Sequence, residues 1–215
     1  MTNRTKQDPD HATVTPFPAD FNRGRCREID PATLPADIRQ LLEKPGRHLL
    51  GDIDMRIDSK GTWFHEGGKI SRQKLVNLFS KVLYRDDDGA FWMVTPVELA
   101  RIQVEDAPFV ALETITDEVG ADGDPVIRLR TNVGDIVAID DEHPIRVDIN
   151  EETGEPRPYV TVRGQLEALI ARSVFYQLVE ESDEVMIDGK PVIGIWSAGN
   201  FFPLGHITDR ETVAS

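Results

Sequence analysis

Short stretches of alternating apolar and polar residues, each closed by a turn-forming cluster, constrain this chain more than any other feature. Ile53, Met55 and Ile57 alternate with Asp54 and Arg56, the period of a strand with one buried face. Asp58-Ser59-Lys60-Gly61 supplies a turn, Thr62-Trp63-Phe64-His65 a returning strand, and Glu66-Gly67-Gly68 its end. The same reasoning predicts strands over 91–95, 100–104, 110–116, 126–131, 136–139, 144–149 and 158–162, and a hairpin over 185–196. Helices are fewer. Ile38, Leu41 and Leu42 share a face before Pro45-Gly46 stops the helix. Ser71 is placed to cap a second helix, whose stripe is Leu75, Leu78, Phe79, Val82 and Leu83. A third is predicted over 164–176, with Leu166, Leu169, Ile170 and Val174 on one face.

The pattern recurs. Two stretches run strand, turn, strand, helix, acidic linker, aromatic-bearing strand. At a constant offset of 91, Arg72 aligns with Arg163, Leu75 with Leu166 and Leu78 with Leu169. The expected fold is therefore α+β: two similar lobes from an internal duplication, with antiparallel strands and one helix per repeat. The expected divisions are a disordered tail at 1–28, an N-terminal lobe at 29–110, a C-terminal lobe at 111–207 and a frayed end at 208–215. A groove between two such lobes is the natural place for a ligand.

Charge narrows the partners. The formal net charge is −14 with no Lys/Arg-rich run, which argues against nucleic acid and against anionic membrane surfaces. A small anion needs only a local basic pocket and stays compatible. No apolar run reaches the ~18 residues of a membrane helix. The polar start, Met1-Thr2-Asn3-Arg4, does not resemble a secretory signal. Cys26 is the one cysteine, so no internal disulfide can form. A cytoplasmic location is expected.

Catalytic and metal motifs fail on inspection. Gly68-Lys69 has Trp63 where a P-loop needs its first glycine and Ile70 where it needs Ser or Thr. Asp86-Asp87-Asp88-Gly89 has Ala90 at the third calcium-ligand position, so a solvated turn is expected. His65-Glu66 is followed by Lys69 rather than the second histidine of a zinc motif. No metal and no cofactor is expected, and no catalytic residue is assigned. The groups suited to an anion are Lys69 and Arg72 beside a helix start, together with Arg101. Trp63 and Phe109 could stack a flat ligand, and Asp106 would form a groove wall.

Several motifs together resemble one bacterial family, the domain of unknown function 1285. They are Gly61-Thr62-Trp63-Phe64, Ile70-Ser71-Arg72, Arg85-Asp86-Asp87-Asp88-Gly89, Val94-Thr95-Pro96-Val97-Glu98 and Val104-Glu105-Asp106-Ala107-Pro108-Phe109-Val110. The resemblance implies a duplicated core, a C-terminal half like a pleckstrin-homology fold, a ligand site between the halves for a nucleotide-like compound, and a signalling role. The resulting expectation is a non-enzymatic cytoplasmic ligand-binding or regulatory protein. One alternative is a hydrolase or transferase acting on a phosphorylated metabolite, with His65, Glu98 and Asp106 as acid–base groups. Another is a protein-interaction module with a protein partner.

Overall fold

Residues 26–119, 124–151 and 153–206 are described in the computed structural model. The tail expected over 1–28 lies outside them through residue 25, as does the end expected to fray. Arg27, inside the expected tail, is already paired with Asp52 in an antiparallel bridge.

The alternating segments form strands. β1 (His48–Ile57), β2 (Trp63–His65), β3 (Gly68–Lys69), β4 (Leu83–Arg85), β5 (Phe91–Val94) and β6 (Glu98–Val104) make one six-stranded sheet in the order β3-β2-β1-β6-β5-β4. Neighbours pair antiparallel except β1 and β6, which run parallel at the centre. β7 (Phe109–Val119), β8 (Pro125–Thr131), β9 (Ile136–Ala138), β10 (Ile145–Ile149), β11 (Pro156–Arg163) and β12 (Leu166–Ile170) make a second sheet, again with a parallel central pair, β7 and β12. Read from its own first strand, the second sheet has the order of the first: 3-2-1-6-5-4. A third sheet, β13 (Asp183–Ile187), β14 (Lys190–Ser197) and β15 (Asn200–His206), docks on the second. Ser197 fixes that docking. Its buried hydroxyl donates to the Ile139 carbonyl at 2.6 Å and accepts from the Ile127 amide at 3.0 Å.

Three α-helices accompany the sheets among the described residues: α1 (Ala36–Leu42), α2 (Gln73–Ser80) and α3 (Arg172–Glu180). The first domain carries α1 and α2, at the places of the two helices read from its sequence, and α3 follows the second sheet. α2 is shorter than its apolar stripe predicts. Arg72, not Ser71, is the N-cap, and no side chain caps the helix. Leu83 belongs to β4, where its burial comes from pairing opposite Met93, and β-branched Val82 favours leaving the helix there.

The predicted third helix is the larger correction. Leu166–Ile170 is strand β12, and the helix starts only at Arg172. Leu166, Leu169 and Ile170 fit a helical stripe, but Leu166, Ala168 and Ile170 also fit period two, and the burial follows period two. Gly164, with φ 52°, turns β11 into β12 and settles the choice. The pairing at offset 91 therefore sets helix against strand. The recurrence lies in sheet topology, β1–β6 against β7–β12.

One contiguous cluster of buried apolar side chains runs from Met55, Ile57 and Trp63 in the first sheet to Phe109, Leu129 and Val160 in the second and Ile195 in the third. The other face of the first sheet presents Trp92 and Leu99 to Leu34 and Ile38 of the N-terminal helical segment. Gly61 shows how tightly the domains meet. It has φ +72°, and a Cβ there would stand 2.6 Å from Asn132 Nδ2 and 3.0 Å from a Val110 methyl.

Candidate functional site

The register of the second sheet builds the site. Ile145, Val160, Ala168 and Phe109 form one cross-strand row, all buried. The next row, Arg146, Tyr159, Leu169 and Val110, must face the other way. On that face the polar residues of β10, β11 and β12 gather: Arg146, Asp148, Tyr159, Thr161 and Glu167. They floor a cleft of about 600 Å³. Arg85 and Phe91 of the first domain form one wall, and the interdomain connection Glu105–Pro108 another. The volume lies within the ~300–1,000 Å³ of small-ligand sites.

Its charges are arranged in linked pairs. Arg146 donates from Nε and Nη2 to both carboxylate oxygens of Glu167, each at 3.0 Å, and pairs with Asp148 through Nη1. Its guanidinium lies 4.4 Å from the Tyr159 ring centroid. Burial pulls the Arg146 pKa down, but the bonds to Glu167 and Asp148 outweigh it and hold the pKa above its ordinary value. Tyr159 donates to Asp106 at 2.8 Å. Burial and that bond push the phenol pKa up, so it stays protonated as a donor. Arg157 pairs with Asp106 from beside the cleft, and Arg56 pairs with Glu105.

Arg85 is the least engaged cation. It reaches Glu167 only at 3.8 Å and the Gly89 carbonyl at 3.4 Å, and it stands over Phe91 at 5.5 Å. Four guanidiniums, of Arg56, Arg85, Arg146 and Arg157, thus meet four carboxylates, of Glu105, Asp106, Asp148 and Glu167. Two of those guanidiniums, of Arg85 and Arg146, line the cleft beside all four carboxylates, so an anion binds there by exchange with a carboxylate rather than by entering a positive pocket.

The residues singled out from the sequence fall in separate places. Asp106 lines the cleft. Trp63 and Phe109 are 1% and 0% exposed, inside the shared core, so neither ring offers a face to a ligand. Lys69 is exposed on edge strand β3 and Arg72 at the start of α2. Arg101 makes a two-pronged pair with buried Asp52, at 3.1 Å through Nη2. Of the acid–base groups considered, His65 registers with Met55 and Glu98 with His48. Seven residues of β1 separate them, about 23 Å of strand. Asp86 corrects the solvated turn. It is 1% exposed and accepts from the Trp92 indole and the Ala90 amide, each at 2.7 Å, and from the Asp88 amide at 3.1 Å. No cluster suited to a metal ion occurs among the described residues, and no helix among them is long and apolar enough to cross a membrane.

Arg85, Arg146, Tyr159 and Glu167 were not singled out. One signal was available. Arg146 and Asp148 alternate with apolar Ile145, Val147 and Ile149, and Arg157, Tyr159 and Thr161 share a face across the turn. A strand pair polar on its sheltered face marks a site.

Two strand-rich domains with a charged cleft between them define a two-domain α+β protein. The chain belongs to the DUF1285 family. Residues 44–107 match the family's N-terminal domain, a domain of unknown function, and residues 108–204 its C-terminal domain, described as a protein of unknown function. A DUF1285 family protein from Silicibacter pomeroyi DSS-3 is similar in structure, at 44% identity and TM-score 0.66, covering 75% of this chain and 84% of that one. A second, from Shewanella baltica OS155, is 22% identical with TM-score 0.47, covering 60% of this chain and 91% of that one. Among curated proteins none matches.

Proposed function

We propose that this protein is a non-catalytic binding protein whose cleft between the domains holds a small ligand with a carboxylate or phosphate group, nucleotide-like compounds included. The observation that carries the reading is the convergence of Arg85, from the first domain, and Arg146, from the second, on one carboxylate, Glu167. A ligand anion can take part of the place that Glu167 now fills, with Arg85 supplying unused donors. Tyr159, Asp106 and Thr161 then offer hydrogen bonds to a polar body. A ligand touching both domains couples them, which suits a regulatory role in signalling. The likeness of the second domain to a pleckstrin-homology fold and the cytoplasmic location are part of this proposal. The first rests on the mostly antiparallel second sheet with its adjacent helix α3, and the second on the single cysteine of the sequence, Cys26.

Thermal unfolding against a panel of nucleotides and phosphorylated or carboxylated metabolites tests it. A ligand at about 100 times its dissociation constant stabilises by about 2.7 kcal/mol, which for a chain of this size raises Tm by roughly 5–10 °C. Arg85→Gln should abolish the shift while Arg72→Ala keeps it. A panel without any shift, or a shift that survives Arg85→Gln, sinks the reading.

A further inference from the structure

A second cavity, of about 300 Å³, lies beside the cleft. Its walls are the turn between β10 and β11, the end of β12 and the first turns of α3. The two cavities share one sheet face. Tyr159 stands opposite Leu169, and Arg157, two residues along β11, points the same way. Arg157 is the partition between them. It lines the second cavity, while its Nη2 bonds Asp106, which lines the cleft.

The chemistry differs from that of the cleft. Pro156, Pro158, Leu169, Phe175 and Tyr176 give this cavity an apolar wall. Its charged residues are Arg157, already bonded to Asp106, and the pair Arg172 and Glu155, so an anion enters by exchange with Glu155. Arg172 pairs with Glu155 at 2.6 Å, joining the helix start to the hairpin turn, with side chains 63% and 55% exposed. An exposed pair of this kind is weak, so a ligand carboxylate can replace Glu155 on Arg172. The volume is at the small end of the ~300–1,000 Å³ of ligand pockets. A monoanion with a compact apolar body fits both the walls and the charge.

We propose that this cavity binds a small monocarboxylate with an aromatic or branched apolar body. Arg172 receives the carboxylate, and the body lies against Leu169, Phe175 and Tyr176.

The test titrates the intact protein with para-fluorophenylacetate followed by fluorine NMR, with 2-(para-fluorophenyl)ethanol as the neutral counterpart. Saturable binding of the carboxylate is expected, about tenfold or more tighter than the alcohol. Arg172→Gln should weaken it by a similar factor. Glu155→Gln should tighten it several-fold, because the competing carboxylate is gone. Both side chains are exposed, so the variants should keep the wild-type circular dichroism spectrum. Arg85→Gln, in the cleft, should leave the affinity unchanged. The proposal is overturned by the absence of saturable binding, by equal binding of the alcohol, or by indifference to Arg172→Gln. Loss of binding in Arg85→Gln alone places the probe in the cleft and overturns it equally.

Discussion

The two six-stranded sheets share strand order and pairing sense, yet they serve different ends. The first is covered on both faces. Phe91, Met93, Ile102 and Val104 point into the shared core, and Trp92 and Leu99 point toward α1. The second is covered fully on one and only in part on the other. Its other face carries Arg146, Tyr159 and Glu167 and floors the cleft. Each sheet also holds one tyrosine that donates to an aspartate, Tyr84 to Asp37 and Tyr159 to Asp106. In the first sheet that bond ties a strand to α1. In the second it ties the sheet to the connection between domains. The contrast teaches that topology sets where strands lie, while the covering elements decide whether a face is scaffold or site.

The largest expected effect tests whether the sheets are one folding unit. Trp63 sits in the first sheet but packs into the common cluster, and its indole Nε1 has no hydrogen-bond acceptor among the described residues. Trp63→Ala should cost about 3–5 kcal/mol. Trp63→Phe, which also removes the unpaired donor, should cost about 1.5 kcal/mol or less. In urea, fluorescence and far-UV circular dichroism should report one shared transition for wild type and variants. Two separated transitions would break the comparison into independent domains.

A smaller effect is confined to the first sheet. Asp86→Ala leaves the buried Trp92 indole without its acceptor and should cost about 1–3 kcal/mol. Burial raises the Asp86 pKa above its ordinary value even though the Trp92 bond opposes it. A carboxyl protonated more readily when folded favours the folded state as pH falls through its raised pKa. Asp86→Ala should remove that acid-side contribution, read as a gap in urea midpoint between wild type and variant that widens as pH falls.

The smallest effect separates the two tyrosines. The hydrogen bond to Asp37, with burial, pushes the Tyr84 phenol up to about 12 from its ordinary 10.0. Its contribution is fully present below pH 10 and is lost as pH rises from 10 toward 12. Tyr84→Phe should cost about 1 kcal/mol at neutral pH and shrink the alkaline loss of stability. Part of that loss should persist, because the Tyr159 phenol is also raised. An unchanged alkaline profile would remove Tyr84 from the account.

Much of the fold was legible because alternation and turn chemistry are local. β5 through β11 appear near their predicted bounds, and the α1 face of Ile38, Leu41 and Leu42 packs as its spacing requires. β12 was misread because the apolar positions of a five-residue segment, Leu166, Ala168, Leu169 and Ile170, satisfy both helical and strand periods, and only its pairing with β7 and β11 decides between them. At the site, Asp106 was legible as the end of a strand beside a proline. Arg85 and Arg146 were not, since 61 positions of chain separate them, Arg146 lies in no motif, and the motif that holds Arg85 reads as a turn.

By itself the sequence determined the strand-rich class, most of the turns and the family, because each depends on side chains close together along the chain. Only the tertiary structure decided which face of the second sheet stayed partly open. It likewise decided that Trp63 and Phe109 went to the core, and that Arg85 and Arg146 met at Glu167. Burial and charge pairing are settled by neighbours distant in sequence, and their energies exist only once the domains have packed.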